Sequence, residues 1–415
     1  TGENVGAYAI GQGTLAVVGS NYTMSFVSNN FTITAKPITV TANAGQTKVF
    51  GAADPTFTYT SSDPGATFTG ALDRATGENV GAYAIGQGTL AVVGNNYTMS
   101  FVSNNFNITA KPIAVTANSG QTKVFGDADP TFTYISSEPA APFTGALDRA
   151  AGENVGSYAI GQGTLSAGAN YSIIFTSSNF TITAKPITVT ADAGQTKVFG
   201  DADPVAFTYT SSDLGASFTG ALIRAIGENV GSYAIGQGTL AVVGSNYTMS
   251  FVSNNFTITA KPITVTADAG QTKVFGDADP LAFTYTSSDL GASFTGALDR
   301  AAGENVGAYA IGQGTLAVVG SNYSMSFVSN NFTITAKPIT VTADPGQTKV
   351  YGAVDPTFTY TSSDLGASFT GALGRAAGED VGAYAMNQGT LSAGANYTIS
   401  FSSNDLTITQ ATLTA

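Results

Sequence analysis

The stretch that decides the fold class is FTITAKPITVT, residues 332–342. Apolar and polar side chains alternate on both sides of the Lys-Pro pair, and a period of two is typical of half-buried β-strands. The residues are mainly Thr, Val, Ile and Phe, which favour strands. Proline fixes its own φ angle and keeps the preceding residue extended. The stretch therefore predicts two β-strands that follow each other through a stiff joint.

The Lys-Pro pair also marks a repeat. Lys-Pro-Ile begins at Lys36, Lys111, Lys185, Lys261 and Lys337, so successive copies are 74 to 76 residues apart. A fixed period indicates a repeat architecture. Solenoid units usually have about 20–45 residues, whereas about 75 residues are enough for a small core. We therefore expect small domains in series.

The period divides the chain into repeats and two incomplete ends. Residues 1–35 match residues 76–110 at all but two positions, so we interpret them as the C-terminal part of an incomplete repeat. This pattern predicts a segment of a longer array. The units are repeat 1 (36–110), repeat 2 (111–184), repeat 3 (185–260), repeat 4 (261–336), repeat 5 (337–409) and the start of a further repeat (410–415).

Each repeat is predicted to be a small β-sandwich. Six or seven short alternating runs, separated by Gly, Asn, Asp and Pro clusters, favour an antiparallel sandwich. In GENVGAYAI, residues 303–311, Tyr309 follows a turn, and immunoglobulin-like sandwiches place a Tyr there with its hydroxyl bonded back to the turn. The predicted fold is all-β: a tandem array of immunoglobulin-like antiparallel sandwiches, forming an extended rod of roughly 30–40 Å per repeat.

Composition excludes several classes of function. The chain of 415 residues has no Cys, His or Trp, and its net charge is −12. Catalytic triads that use His and metal sites formed by His or Cys are therefore excluded. The scarcity of Lys and Arg argues against nucleic-acid binding. No apolar run approaches the roughly 20 residues of a membrane span. We expect neither an enzyme nor a membrane-spanning segment.

The ordered motifs resemble a known family. Gly-Gln-Thr-Lys-Val-Phe/Tyr-Gly-x-x-Asp-Pro, Phe-Thr-Tyr, Gly-Glu-Asn-Val-Gly-x-Tyr-x-Ile, Gln-Gly-Thr-Leu and Asn-Tyr-x-Met/Ile-x-Phe follow one another in this order. The set resembles the MBG repeat of bacterial surface proteins. Val350-Tyr351-Gly352 is the best match to the Tyr-Gly pattern of that family, and the other repeats have Phe before Gly. The resemblance implies an extracellular, non-enzymatic stalk module without catalytic residues.

Paired aspartates form a candidate Ca²⁺ site. Carboxylate oxygens are ligands that Ca²⁺ prefers. The competing interpretation is an Asp-Pro turn, and the first Asp is replaced by Ala52 in repeat 1 and by Ala353 in repeat 5. No other cofactor is expected. The pairs are Asp127 and Asp129, Asp201 and Asp203, and Asp277 and Asp279.

Two covalent modifications are also considered. Asn-x-Ser/Thr matches the N-glycosylation acceptor pattern, although an Asn that ends a turn before a strand gives the same pattern. The recurrent Glu, Lys and Asn of each repeat could also form a Lys–Asn crosslink assisted by Glu, against the commoner surface ion pair. The candidate glycosylation residues are Asn96, Asn170, Asn246, Asn322 and Asn396.

The leading hypothesis is a stalk segment of a large secreted adhesin on the bacterial cell surface, whose host or surface ligand binds outside this segment. Its partners are then the neighbouring repeats of the same chain. The alternative is a self-assembling extracellular filament, in which exposed sheet edges pair with identical chains. A third hypothesis is carbohydrate or ice binding by the repeats themselves, for which no distinctive residue stands out.

Overall fold

The structure, a computed structural model, describes residues 4–414. Every regular element in this part of the chain is a β-strand, so the all-β repeat array is confirmed. No helix among the described residues is long and apolar enough to cross a membrane. The chain forms two compact units. The first ends at Ile187 and also includes Val242–Met249, and the second contains Thr188–Ala241 and the residues from Ser250 onward.

The strands recur in the same order in each repeat. Residues before Lys36 form β1 (Gly6–Ala9) and β2 (Asn30–Ile33). Repeat 1 contains β3 (Lys36–Ala42), β4 (Thr47–Val49), β5 (Tyr59–Ser61), β6 (Phe68–Thr69), β7 (Asp73–Arg74), β8 (Gly81–Gly86), β9 (Ala91–Val92), β10 (Tyr97–Val102) and β11 (Asn105–Thr109). Repeat 2 contains β12 (Lys111–Ala117), β13 (Gln121–Val124), β14 (Tyr134–Ser136), β15 (Asp148–Arg149), β16 (Gly156–Gly161), β17 (Tyr171–Thr176) and β18 (Asn179–Thr183).

The remaining repeats continue the series. Repeat 3 contains β19 (Lys185–Ala191), β20 (Thr196–Val198), β21 (Tyr209–Ser211), β22 (Phe218–Thr219), β23 (Ile223–Arg224), β24 (Gly231–Gly236), β25 (Ala241–Val242), β26 (Tyr247–Val252) and β27 (Asn254–Thr259). Repeat 4 contains β28 (Lys261–Ala267), β29 (Thr272–Val274), β30 (Tyr285–Ser287), β31 (Phe294–Thr295), β32 (Asp299–Arg300), β33 (Gly307–Gly312), β34 (Ala317–Val318), β35 (Tyr323–Val328) and β36 (Asn331–Thr335). Repeat 5 contains β37 (Lys337–Ala343), β38 (Thr348–Val350), β39 (Tyr360–Ser362), β40 (Gly374–Arg375), β41 (Gly382–Asn387), β42 (Tyr397–Ser402) and β43 (Asp405–Thr409).

Two main sheets form each sandwich, and repeat 4 illustrates them; in repeats 1, 3 and 4 a further two-stranded sheet is present, which in repeat 4 pairs β31 with β34. One sheet has the order β30-β28-β35 and the other the order β29-β36-β33-β32. The expectation of purely antiparallel sheets needs a correction, because β28 runs parallel to β35 and β29 runs parallel to β36. Alternation along a strand does not reveal strand direction, since parallel and antiparallel strands both have a period of two.

The core of repeat 4 lies where the inward faces of the two sheets meet. Val265 comes from β28, Ile311 from β33, and Phe332 and Ile334 from β36, and all four are fully buried. Their polar neighbours on the same strands point outward. The alternation in the sequence therefore specifies which side of each strand faces the core.

Successive repeats are joined without a linker. Strand β36 ends at Thr335 and β37 begins at Lys337, so Ala336 alone separates them. The predicted succession of two strands is confirmed. The predicted tyrosine contact is confirmed as well: the hydroxyl of Tyr309 donates to the carbonyl oxygen of Asn305 at 2.7 Å.

Candidate functional site

Each repeat contains one cluster of two basic and two acidic side chains, here called the ion cluster. In repeat 4 the Nζ of Lys273 lies 2.7 Å from Oδ1 of Asp279 and also contacts Glu304. Arg300 contacts the same two carboxylates, with its Nε 2.7 Å from Asp279 and its Nη2 2.5 Å from Glu304. The four charges thus form a closed ring of alternating sign.

The ion cluster recurs in all five repeats. The four members come from β29, the Asp-Pro loop, the short strand β32 and the turn before β33, or from their equivalents in the other repeats. The clusters are Lys48, Asp54, Arg74 and Glu78; Lys123, Asp129, Arg149 and Glu153; Lys197, Asp203, Arg224 and Glu228; Lys273, Asp279, Arg300 and Glu304; and Lys349, Asp355, Arg375 and Glu379.

The basic members are buried and the acidic members reach the surface. In repeat 4 the side chains of Lys273 and Arg300 are 5% and 7% exposed, against 37% for Asp279 and 67% for Glu304. The guanidinium of Arg300 lies over the rings of Tyr309 and Phe332. A buried cation is tolerated only when it is paired and hydrogen-bonded. The two carboxylates therefore neutralise the two cations that the sandwich covers.

The arginine also fixes the turn that precedes the Tyr strand. Nη1 of Arg300 donates to the carbonyl oxygens of Ala301 and Gly303, at 3.0 and 2.6 Å. Gly303 has a φ of 143°, and a Cβ at this position would lie 2.2 Å from the Tyr309 ring. Only glycine fits a left-handed backbone this close to a ring.

Mutual pairing shifts the pKa values of the cluster. Hydrogen bonds from Arg300, and next from Lys273, lower the pKa of Asp279 to about 2. Hydrogen bonds from Lys273 and Arg300 lower the pKa of Glu304. Hydrogen bonds to Asp279 and Glu304 raise the pKa of Lys273. All four groups are therefore charged at neutral pH.

The two aspartates of each candidate Ca²⁺ pair have different neighbours. Asp129, Asp203 and Asp279 belong to ion clusters, where Lys and Arg contact both carboxylate oxygens. Asp127, Asp201 and Asp277 are exposed. Among the described residues, no group of three or more acidic side chains is arranged to hold a metal ion. Calcium binding by these pairs stays a prediction.

Two of the exposed aspartates, Asp201 and Asp277, interact electrostatically with the first lysine of the next repeat. Lys337, the first residue of repeat 5, has a raised pKa, mainly because it bonds to Asp364, and Asp277 of repeat 4 adds to the shift. The pKa of Lys261 is raised mainly by its hydrogen bond to Asp289, and Asp201 of repeat 3 adds to the shift. These carboxylates therefore contribute negative charge near the junctions between repeats.

A second recurrent feature, here called the junction contact, joins one repeat to the next. Oδ1 of Asn396 in repeat 5 accepts a hydrogen bond from the backbone N–H of Val306 in repeat 4, at 2.8 Å. Its Nδ2 donates to Oδ1 of Asn305, at 2.9 Å. The adjacent Tyr397 packs edge-to-face on Phe275, with ring centroids 5.3 Å apart. One Asn-Tyr pair therefore provides both a polar and an aromatic contact across the junction.

The same polar contact occurs at every junction described. Its members are Asn96 with Asn4 and Val5, Asn170 with Asn79 and Val80, Asn246 with Asn154 and Val155, Asn322 with Asn229 and Val230, and Asn396 with Asn305 and Val306. The aromatic pairs are Phe50 with Tyr171, Phe125 with Tyr247, Phe199 with Tyr323, and Phe275 with Tyr397.

The five junction asparagines are the five candidate glycosylation residues. In each of them Nδ2, the atom that would carry a glycan, donates to the asparagine of the preceding unit. Glycosylation stays a prediction, and a glycan on Nδ2 would replace one of the two hydrogens of the amide that makes this contact.

The recurrent Glu of the crosslink hypothesis lies beside the buried Lys. In repeat 4 the neighbours of Lys273 in the ion cluster are the carboxylates of Asp279 and Glu304. Amide formation requires an uncharged amine, and the raised pKa of Lys273 keeps this amine protonated. The geometry therefore favours an ion pair over an amide bond.

Sequence reasoning missed the arginine of the cluster and the role of the junction asparagine. The available signal was the recurrence of basic residues: ten of the 15 Lys and Arg residues belong to ion clusters. The other five are the lysines that begin the repeats. In so weakly charged a chain, a basic residue at a fixed position in every repeat indicates a structural pairing.

Comparison with known proteins identifies the repeats. The sequence profile of the MBG domain (YGX type) matches residues 38–107, 113–181, 187–257, 263–333 and 339–407. A search of curated proteins finds no match. The aromatic residue before Gly in this motif is the ring that packs across the junction in the first four repeats, as Phe275 does. With most of its length matched, the chain belongs to the MBG domain family of the YGX type.

Proposed function

We propose that this chain is a stalk segment of a large secreted adhesin on the bacterial cell surface, with a structural and non-enzymatic role. The observation that carries the proposal is the junction contact, which recurs with the same residues between neighbouring repeats. Membership of a family of tandem repeats, typical of surface proteins, supports this role.

In the proposed mechanism, the joints between repeats restrict how neighbouring repeats move relative to each other. The one-residue connection limits how far neighbouring repeats can separate, and the junction contact opposes rotation about that connection. Asn396 provides the polar part and Tyr397 the aromatic part. A series of such joints holds a distant binding region away from the cell. In this proposal the neighbouring repeats are the partners, and the ligand of the adhesin binds outside this segment.

Electron microscopy of the purified chain across a concentration series tests the proposal. We expect single, unbranched particles of constant length at every concentration. Filaments that lengthen or bundle as the concentration rises would contradict the stalk and favour the alternative, in which the repeats themselves assemble into an extracellular fibre.

Surface labelling of producing cells with an antibody against the repeats tests the proposed location, and signal confined to lysed cells would contradict it.

A further inference from the structure

The beginning and the end of repeats 1, 2, 4 and 5 are held by parallel ladders. In repeat 4 the first strand, β28, runs parallel to β35, from Lys261 opposite Tyr323 to Thr266 opposite Val328. The last strand, β36, runs parallel to β29. The equivalent strands pair in the same way in repeats 1, 2 and 5.

This topology determines how tension acts on a repeat. The chain enters repeat 4 at the beginning of β28 and leaves it at the end of β36. Tension therefore pulls β28 backward along its own axis and β36 forward along its axis. The opposing force enters β35 at its C-terminal end, where this strand leads into β36, and enters β29 at its N-terminal end, where this strand follows β28. In each parallel pair the two loaded points lie at opposite ends of the ladder, so both ladders are loaded in shear. The hydrogen bonds of a parallel ladder are evenly spaced along it, so many of them share the force and must break together.

We propose a further function for the repeats: each is a tension-resisting clamp, in which the β28–β35 and β29–β36 ladders, or their equivalents, carry force applied between the two ends of the chain. This inference rests on the proposed function only for its biological use. The mechanical property itself depends on the pairing within one repeat.

Side chains on both faces of the first ladder oppose sliding. Ile263 and Val265 of β28 are buried in the core, opposite Met325 and Phe327 of β35. On the other face the hydroxyls of Thr264 and Ser326, which lie directly opposite each other, are hydrogen-bonded at 3.1 Å. Sliding by one residue would bring polar side chains toward the core, because a shift of one residue reverses the faces of a strand.

The ion cluster secures the second ladder. Lys273 lies in β29 and pairs with Asp279 and Glu304, which belong to other segments of the same repeat. A strand anchored by a buried cation cannot move along its axis without separating these charges. The short joint transmits force directly, since Ala336 alone separates β36 from the first strand of repeat 5.

Single-molecule force spectroscopy with two attachment geometries tests the clamp. The chain has no Cys, so Ser324→Cys provides a unique attachment point on an exposed residue near the beginning of β35. Pulling between the N-terminus and this cysteine loads the first three repeats through their ends, but pulls repeat 4 between Lys261 and residue 324. These two points lie at the same end of one ladder, so its hydrogen bonds break one after another.

We expect repeat 4 to open at about half the force of the preceding repeats or less in the same recording. Its event is recognised as the one opening whose force changes between this geometry and pulling through both chain ends. Length alone does not identify it, because the chain between Lys261 and residue 324 extends to about 220 Å at about 3.5 Å per residue, and a whole repeat to about 260 Å less the roughly 30–40 Å that it already spans when folded. The preceding repeats serve as internal controls.

The same variant pulled through both chain ends is the matched control for folding. In that geometry repeat 4 should open at the force of the other repeats. Equal forces for repeat 4 in both geometries would overturn the clamp. This outcome would leave the stalk proposal standing, since that proposal fails on concentration-dependent filaments or on absence from the cell surface.

Discussion

At the scale of single residues, the ion cluster shows how a weakly charged chain uses its few charges. Each repeat buries one Lys and one Arg and places both against the same two carboxylates. Surface ion pairs usually contribute little to stability, but here the basic partners are almost fully covered. Removing one carboxylate would leave each of the two buried cations with one carboxylate partner instead of two. The cluster therefore neutralises the two cations that the sandwich covers.

Acid should destabilise the repeats, because the cluster carboxylates titrate at lower pH when folded than when unfolded. The pKa of Asp279 is about 2 in the fold and about 3.9 in an unfolded chain. This group contributes stability above about pH 4, and the contribution is lost as the pH falls through about 2. We expect the midpoint of urea denaturation to fall steadily between pH 5 and pH 2. A midpoint that stays constant across this range would show that the paired geometry is wrong.

At the scale of structural elements, the residues between strands decide how repeats are joined. The Asn-Tyr pair stands immediately before or at the beginning of β35 or its equivalent, on the side of the repeat that contacts the preceding one. The Gly-Glu-Asn-Val turn of the preceding repeat supplies the backbone N–H and the second Asn side chain. Each segment lies at a boundary between a turn and a strand of its own repeat, and the contact between them forms only when two repeats meet.

Asn322→Ala should loosen the junction between repeats 3 and 4. The substitution removes the acceptor of the Val230 N–H, and a typical hydrogen bond contributes about 1 kcal/mol. We therefore expect the Val230 amide to exchange its hydrogen about fivefold faster, as measured by NMR. Asn331→Ala is the matched control, because Asn331 also begins an Asn-x-Thr sequence but lies exposed in β36. Equal exchange rates in the two variants would contradict the role of the junction asparagine.

At the scale of the whole molecule, the same core, ion cluster and junction contact recur through the described chain. The repeats differ mainly in loop residues, such as Leu281 beside the Asp-Pro turn, which is fully exposed. Stability in such an array is the sum of terms for each repeat and for each contact between neighbours. Near-identical neighbours also carry a risk of misfolding across repeats.

Intact mass spectrometry of the whole chain distinguishes ion pairing from covalent crosslinking. We expect the full mass of the sequence, because Lys273 and its equivalents are held as charged partners of two carboxylates. A mass lower by one ammonia per repeat would establish Lys–Asn crosslinks. A loss of one water per repeat would indicate amide bonds between Lys and the cluster carboxylates. Either deficit would contradict the ionic interpretation of the cluster.

The sequence by itself determined the repeat period, the strands and the side of each strand that faces the core. A period of two and a recurrent Lys-Pro pair are local signals, and local backbone preference is enough to interpret them. The tyrosine contact was predictable as well, because Tyr309 bonds to Asn305 only four residues away. The family follows from the same ordered motifs.

Only the tertiary structure decided which strands pair in parallel, which charges share a cluster and which asparagines join neighbouring repeats. Lys273 and Glu304 are 31 residues apart, and Asn396 is 90 residues from Val306. Contacts over such separations depend on the path of the chain through both sheets, which alternation along a single strand does not encode. The physical reason is that side-chain periodicity specifies a face, whereas strand direction and charge partners are specified by packing between distant segments.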